Sequence, residues 1–201
     1  MSAVLTTASL RSAVALLVTA AEAKAPILNA ADGKLGDGDL GITVSEGWRE
    51  ASHRDLPPDV GMAFLALAKA FQAASPSSFG TLMATALMSA AGVCKGRTEV
   101  PWSETSALLG KARDAMMARG KGELGQKSVL DMVDALSTAT AGLTEPKALA
   151  DAALAAAART LGLFRDRPNG LGRARMFAEK SIGLDDPGML AAKVMIEALA
   201  A

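Results

Sequence analysis

The chain has 201 residues, enough for one domain over 1–201 with a substantial core; apolar residues make up 50% of it and aromatics 3%, with no Tyr. A core drawn from Ala, Leu, Val and Met belongs to packed helices, and no β-branched or aromatic run of strand length interrupts it. Lys plus Arg equals Asp plus Glu at 21 each, which leaves no basic footprint for nucleic acid, and the single cysteine, Cys94, excludes an internal disulfide and a cysteine-rich metal site.

The N-terminal stretch "SLRSAVALLVTAAEA" carries Arg11, an apolar run and an A-x-A triplet at Ala21 to Ala23, as a secretory signal would. Leu10, Val14, Leu17 and Ala21 nevertheless fall at helical spacing, with Arg11, Ser12, Thr19 and Glu22 off that stripe, so an amphipathic first helix over about 2–24 is expected. Pro26 then marks a break or the start of a short second segment leading toward residue 32. No uncharged apolar run reaches the roughly 18 residues of a membrane span, and a reducing, cytoplasmic setting is the simplest expectation.

Helices are expected next over about 42–53, 59–74 and 79–94, with Pro57-Pro58 separating the first two and "SPSS" at 75–78 supplying a turn and a cap before the third. Ser103 is the expected N-cap of a helix running to about 118. A glycine-rich loop at 119–128 follows, then helices over about 128–140 and 146–164, the latter opened by Thr144, Glu145 and Pro146. A short helix from Arg173 to Glu179 and a last helix after "GLDDPG" complete an all-α, up-and-down antiparallel bundle of about eight helices. Functional residues are therefore expected in the loops.

The most unusual loop is "DGKLGDGDLG" at 32–41, with three aspartates and four glycines in ten positions. Gly33, Gly36, Gly38 and Gly41 let the backbone turn tightly enough for Asp32, Asp37 and Asp39 to converge, and all-oxygen ligation suits a hard cation, Mg²⁺ or Ca²⁺. An EF-hand frame starting at Asp37 fails, because Ile42 and Trp48 fall where its Gly and Glu should be. Turn chemistry alone explains one or two of these aspartates and leaves the third without a role. Three carboxylates with one Mg²⁺ leave a negative site; two Mg²⁺ leave a positive one, which implies a phosphate ligand completing the coordination. Amides from Gly41 onward, opening a helix, offer a further anion contact.

Other motifs carry less. "GKGELGQKS" at 120–128 approaches a Walker A loop through Gly120, Gly125, Lys127 and Ser128, but one residue is inserted before the lysine and no strand precedes it. His53, the single histidine, has no partner for a metal or a Ser-His-Asp arrangement and reads as a solvated side chain. The ten Met residues read as core filler.

Taken together, "GDGDLG" at 36–41, "SSFGTL" at 77–82, "GQKSVLD" at 125–131 and "GRARMFAEKSIGLDDPG" at 172–188 resemble, in order and over nearly the whole chain, the signature segments of the L subunits of dihydroxyacetone kinases and the homologous nucleotide domain of single-chain dihydroxyacetone kinases. The resemblance implies an antiparallel barrel of about eight helices with ADP or ATP at one end and two Mg²⁺ on Asp32, Asp37 and Asp39. It further implies that Leu40, Gly41, Ile42 and Thr43 face phosphate, with Ser78 and Phe79 on the phosphate-side serine loop. Gly120 and Val129 would line the adenine pocket, and Arg173, Asp186, Pro187 and Gly188 its closing wall. Each also has a plain alternative: Arg173 as a helix cap, "DDPG" as a turn.

The resemblance implies half of a kinase for dihydroxyacetone or another short keto-sugar. A separate K-type subunit would hold the sugar, and a phosphotransferase-system protein is a possible phosphoryl donor. Three positions depart from the family pattern: Leu40 stands where His is usual, Phe79 where Ser is usual, and Gln126 where an acidic residue is usual. These departures keep two alternatives open, a non-catalytic nucleotide-binding regulator and a stand-alone Mg²⁺-dependent phosphohydrolase.

Overall fold

The computed structural model describes residues 4–74 and 77–201. Among them are eight α-helices: α1 (Thr7–Asp32), α2 (Leu40–Ser52), α3 (Val60–Ala74), α4 (Ser78–Cys94), α5 (Thr105–Gly120), α6 (Val129–Ala139), α7 (Pro146–Arg165) and α8 (Pro187–Ala200). Each helix packs on the next in sequence, and α8 returns to pack on α1, so the helices close into a ring. Mostly short connections, with a long one over 166–186 between α7 and α8, give the up-and-down arrangement expected from the sequence.

The interior divides into two clusters. One gathers Leu28, Val44, Val60, Ala63 and Phe71 among its fully buried side chains, and the other is built on Leu130, Met132, Ala157 and Met189. Phe79, Leu190 and Met195 pack against both and join them. Trp48 meets Phe71 edge to face at 4.8 Å between ring centroids, and its indole N–H points at Met195 Sδ 3.3 Å away. With so few aromatics, close packing rests on small side chains such as Ala63, Ala70 and Ala191, which let backbones approach.

Two local expectations are corrected. α1 does not break at Pro26 but continues to Asp32. The proline lies on the solvent side, where water can satisfy the carbonyl that its missing N–H leaves unbonded, and Leu28 beyond it is fully buried. Ser103 does not cap α5. It lies in a 3-10 turn, Trp102–Glu104, and Glu104 takes the N-cap position without a side-chain bond.

Residues 173–181 form two 3-10 turns, Arg173–Phe177 and Glu179–Ser181, rather than one short α-helix. A two-residue antiparallel pairing of Val4–Leu5 (β1) with Val100–Pro101 (β2) ties the start of the chain to the α4–α5 connection. The expected start of the first helix at residue 2 and the turn assigned to Ser75 and Pro76 lie outside the described residues. Ser77 does cap α4, accepting from Gly80 N at 2.9 Å. By length and composition α1 is also the one described helix apolar enough to cross a membrane, with a mean hydropathy of 1.3 over its best window. Here its Leu10, Val14, Leu17, Ala21 and Leu28 stripe is buried in the bundle, as the spacing predicts.

A Cβ at Gly47 would stand 2.2 Å from Phe71 Cε1, a ring with nowhere to move. Gly47→Ala should therefore lower unfolding stability in urea by about 1–3 kcal/mol, and a change within about 0.5 kcal/mol would contradict this packing.

Candidate functional site

The aspartate loop is a turn between two packed helices. Asp32 ends α1, Leu35 is buried as an anchor, and Asp39 stands at the N-terminus of α2. Asp32 Oδ2 accepts from Gly38 N at 2.9 Å and from Asp39 N at 3.1 Å, which folds the loop back over the end of α1. Gly38 makes the reversal with φ of +80°, a left-handed conformation costly to other residues. As a result one carboxylate oxygen from each of Asp32, Asp37 and Asp39 lies within 4.8 Å of the other two. Three like charges at this spacing repel, and the set of hard oxygen ligands fits Mg²⁺ or Ca²⁺.

The loop forms one side of an open cleft. The N-terminal turns of four helices border it: α2 through Leu40 and Thr43, α4 through Ser78 and Phe79, α6 through Ser128 and Val129, and α8 through Pro187 and Gly188. In an up-and-down ring the even-numbered helices all start at one end, so four positive dipole ends meet around the cleft. The carboxylates attract cations and the helix ends attract anions, both at one mouth. Phe79, Leu82, Val129, Leu171 and Pro187 supply an apolar lining. Arg173, from the loop after α7, reaches across and pairs with Asp37.

The structure therefore brings together Asp32, Asp37, Asp39, Leu40, Thr43, Ser78, Phe79, Val129, Arg173, Asp186, Pro187 and Gly188 from the sequence-based set. Three members stand elsewhere. Gly41 and Ile42 are absent from the lining, and their N–H groups donate to Asn29 Oδ1 at 2.7 and 3.3 Å, so Asn29 on α1 caps α2 in place of an anion. Gly41 serves packing: a Cβ there would stand 2.2 Å from Ala25 O. Gly120 is exposed and absent from the lining, although a Cβ there would stand 3.5 Å from Leu82, which is part of it. Leu40, where the resemblance leads one to expect His, is buried in the first core cluster and borders the cleft. Asn29 and Leu82, on helices, and Leu171, in the connection between α7 and α8, carry no local signal that would mark them in the sequence.

Beneath the α8 end lies a buried polar group. Asp186 caps α8 by accepting from Met189 N at 2.8 Å, and its other oxygen accepts from Asn169 Nδ2 at 2.7 Å. Asn169 Oδ1 has no hydrogen-bond partner. Burial pushes the Asp186 carboxyl up to about 6, against the hydrogen bonds from Met189 and Asn169 and the Lys127 charge, which pull it down.

Comparison with known proteins bears on the fold and the family. The DAK2 domain model matches residues 34–201. The chain is 29% identical over 173 residues to the ADP-binding subunit of a PEP-dependent dihydroxyacetone kinase of Listeria innocua, covering 80% of this chain and 78% of that one. It is 27% identical over 184 residues to the corresponding Escherichia coli subunit, covering 86% of each. An L-erythrulose 1-kinase of Mycolicibacterium smegmatis is 30% identical over 179 residues, 84% of this chain and 31% of that enzyme. Among solved structures, the C. freundii dihydroxyacetone kinase in complex with AMP-PNP and Mg²⁺ superposes with a TM-score of 0.72 at 22% identity, over 94% of this chain and 33% of that one. Fold and site thus define a helical barrel with an acidic loop at the open end. The chain belongs to the DAK2 domain family.

Burial of the Asp186 carboxyl makes stability depend on pH. Its folded value of about 6 lies above the ordinary 3.8, so its stabilising contribution is full below about pH 4 and is lost as pH rises through 6. Relative to Asp186→Asn, the wild-type chain should lose roughly 1–3 kcal/mol of unfolding stability between pH 4 and pH 7. A pH-independent difference between the two would mean that the carboxyl does not titrate in this window.

Proposed function

We propose that this chain is the Mg²⁺-dependent ADP/ATP-binding subunit of a kinase for dihydroxyacetone or a similar short keto-sugar, acting as one nucleotide-binding domain with a K-type partner that holds the sugar. The observation that carries this reading is the shared mouth: three carboxylates converge on one side of an apolar cleft, and four helix N-termini border the same cleft. The names of the relatives, ADP-binding subunits of dihydroxyacetone kinases and an erythrulose kinase, support the substrate class.

Asp32, Asp37 and Asp39 would hold the metal, and charge balance favours two Mg²⁺, since one leaves the triad negative and repels a diphosphate. Held by these three carboxylates, Mg²⁺ would supply positive charge to offset that of the phosphates. The chain's own contribution is placement. Phe79, Leu82, Val129, Leu171 and Pro187 would hold the base out of water. Asp32, by folding the loop through Gly38 N and Asp39 N, fixes the ligand geometry in advance. The Arg173–Asp37 pair is half-exposed and worth under about 1 kcal/mol, so Arg173 exchanges readily from carboxylate to phosphate once a cation takes Asp37. No protein nucleophile is required, because the acceptor hydroxyl comes with the partner's sugar. A cytoplasmic setting, with nucleotide and a phosphotransferase-system donor at hand, fits a chain whose single cysteine is a free buried thiol.

Calorimetric titration of the chain with ADP, in Mg²⁺ and in EDTA, tests the reading. Binding should require Mg²⁺, Asp37→Ala should weaken it at least about 100-fold, and the melting temperature should hold, because Asp37 is exposed and repelled by its neighbours. Binding of ADP that persists in EDTA, or in Asp37→Ala at wild-type affinity, would overturn the metal assignment.

A further inference from the structure

Lys127, the lysine of the near-Walker segment, does not face the cleft. It is fully buried, and its ammonium donates to three backbone carbonyls: Arg165 O at 2.9 Å, Arg167 O at 2.8 Å and Ser181 O at 2.7 Å. An ammonium has three N–H donors, so all of its hydrogen-bonding capacity is spent on backbone. Arg165 ends α7, where carbonyl dipoles favour a cation. Burial pulls the lysine's proton affinity down, and Asp186, Asp185 and Asp166 nearby support the charged form.

The backbone beside this ammonium grips the same segment again. Lys127 O accepts from Asn169 Nδ2 at 2.7 Å, and that amide group also reaches Asp186, the cap of α8. Gln126 O accepts from Gly170 N at 2.8 Å, and Asn169 N donates to Ser181 Oγ at 2.8 Å. To make these contacts Lys127 adopts φ of +55°, a left-handed conformation that a lysine rarely takes. A costly backbone conformation next to a buried charge points to a role that the local fold alone does not require.

Every one of these bonds lands between residues 165 and 186, the stretch joining α7 to α8. Its middle, Leu171 to Ala174, is the cleft wall, and it carries Arg173 to Asp37. The 165–186 segment between the two helices holds only two short 3-10 turns. Both of its ends are therefore fixed through one residue that never touches the ligand space.

We propose that Lys127 is a positioning residue for the nucleotide site: by clamping both ends of the 165–186 segment it sets the wall that brings Arg173 to the aspartate loop. This rests on reading the cleft as a nucleotide site. Removing the clamp acts on phosphate binding through Arg173 and leaves the carboxylate triad in place.

The test uses the full chain with Lys127→Met, Arg173→Ala and the double variant. Lys127→Met should weaken ADP binding in Mg²⁺ by about 10–100-fold, and adding Arg173→Ala to it should weaken binding no more than about twofold further, since Arg173 has already lost its position. Mn²⁺ binding without nucleotide should be unchanged or tighter in both single variants. Hydrogen exchange should quicken at least about tenfold within 166–185 and stay as in the wild type in α1 to α4. If Lys127→Met does not fold, Asn169→Ala, which cuts the strap to Asp186 but keeps the ammonium, should show a smaller loss of affinity with the same non-additivity toward Arg173→Ala.

Wild-type ADP affinity in Lys127→Met, or losses that multiply in the double variant, would overturn the proposal. Failure of the wild-type chain itself to bind ADP would instead overturn the nucleotide reading, and unchanged exchange within 166–185 would still refute the clamp.

Discussion

The mutual repulsion of three carboxylates is the constraint around which this molecule is arranged. Asp32, Asp37 and Asp39 converge to within 4.8 Å only because Asp32 accepts two amides of its own loop and because α1 and α2 pack closely enough for Asn29 to cap the second helix. Gly41 makes that approach possible by having no side chain to meet Ala25. Arg173 offsets part of the charge, from a loop more than a hundred residues away in sequence. What remains is a concentrated negative site whose repulsion a divalent cation would relieve.

Ring closure accounts for the rest of the site. Because consecutive helices alternate in direction, α2, α4, α6 and α8 all begin at the same end, and side-chain caps begin several of them: Ser77 for α4, Ser128 for α6 and Asp186 for α8. These caps order the first turns while leaving the positive ends turned toward the cleft. Phe79 packs against both core clusters and lines the cleft, so the same side chain links the packing of the barrel to the shape of the site.

Much of this was legible in the sequence, and what was not has a physical cause. Helix number, the stripe of α1 and the acidic loop follow from periodicity and from Gly-Asp spacing, which are local properties. Pro26 misled because its cost is met in context, on an exposed face of a helix whose next turn is buried. Asn29, Leu82 and Leu171 matter through partners far away in sequence, and nothing adjacent to them records that. Lys127 is the clearest case: read locally it suggests a phosphate loop, yet the structure spends its ammonium on three carbonyls 38 to 54 residues away. The anion contacts expected from the Gly41 and Ile42 amides failed for a related reason, since a side chain from another helix already occupies them.

The most direct test of the account is to locate the cation. Crystals grown with ADP and Mn²⁺ and measured at the manganese absorption edge should show anomalous peaks within about 2.5 Å of carboxylate oxygens of Asp32, Asp37 and Asp39, with nucleotide phosphate on their far side. ADP bound in the cleft with no anomalous peak at these carboxylates would contradict the claim that the aspartate loop recruits the nucleotide through metal.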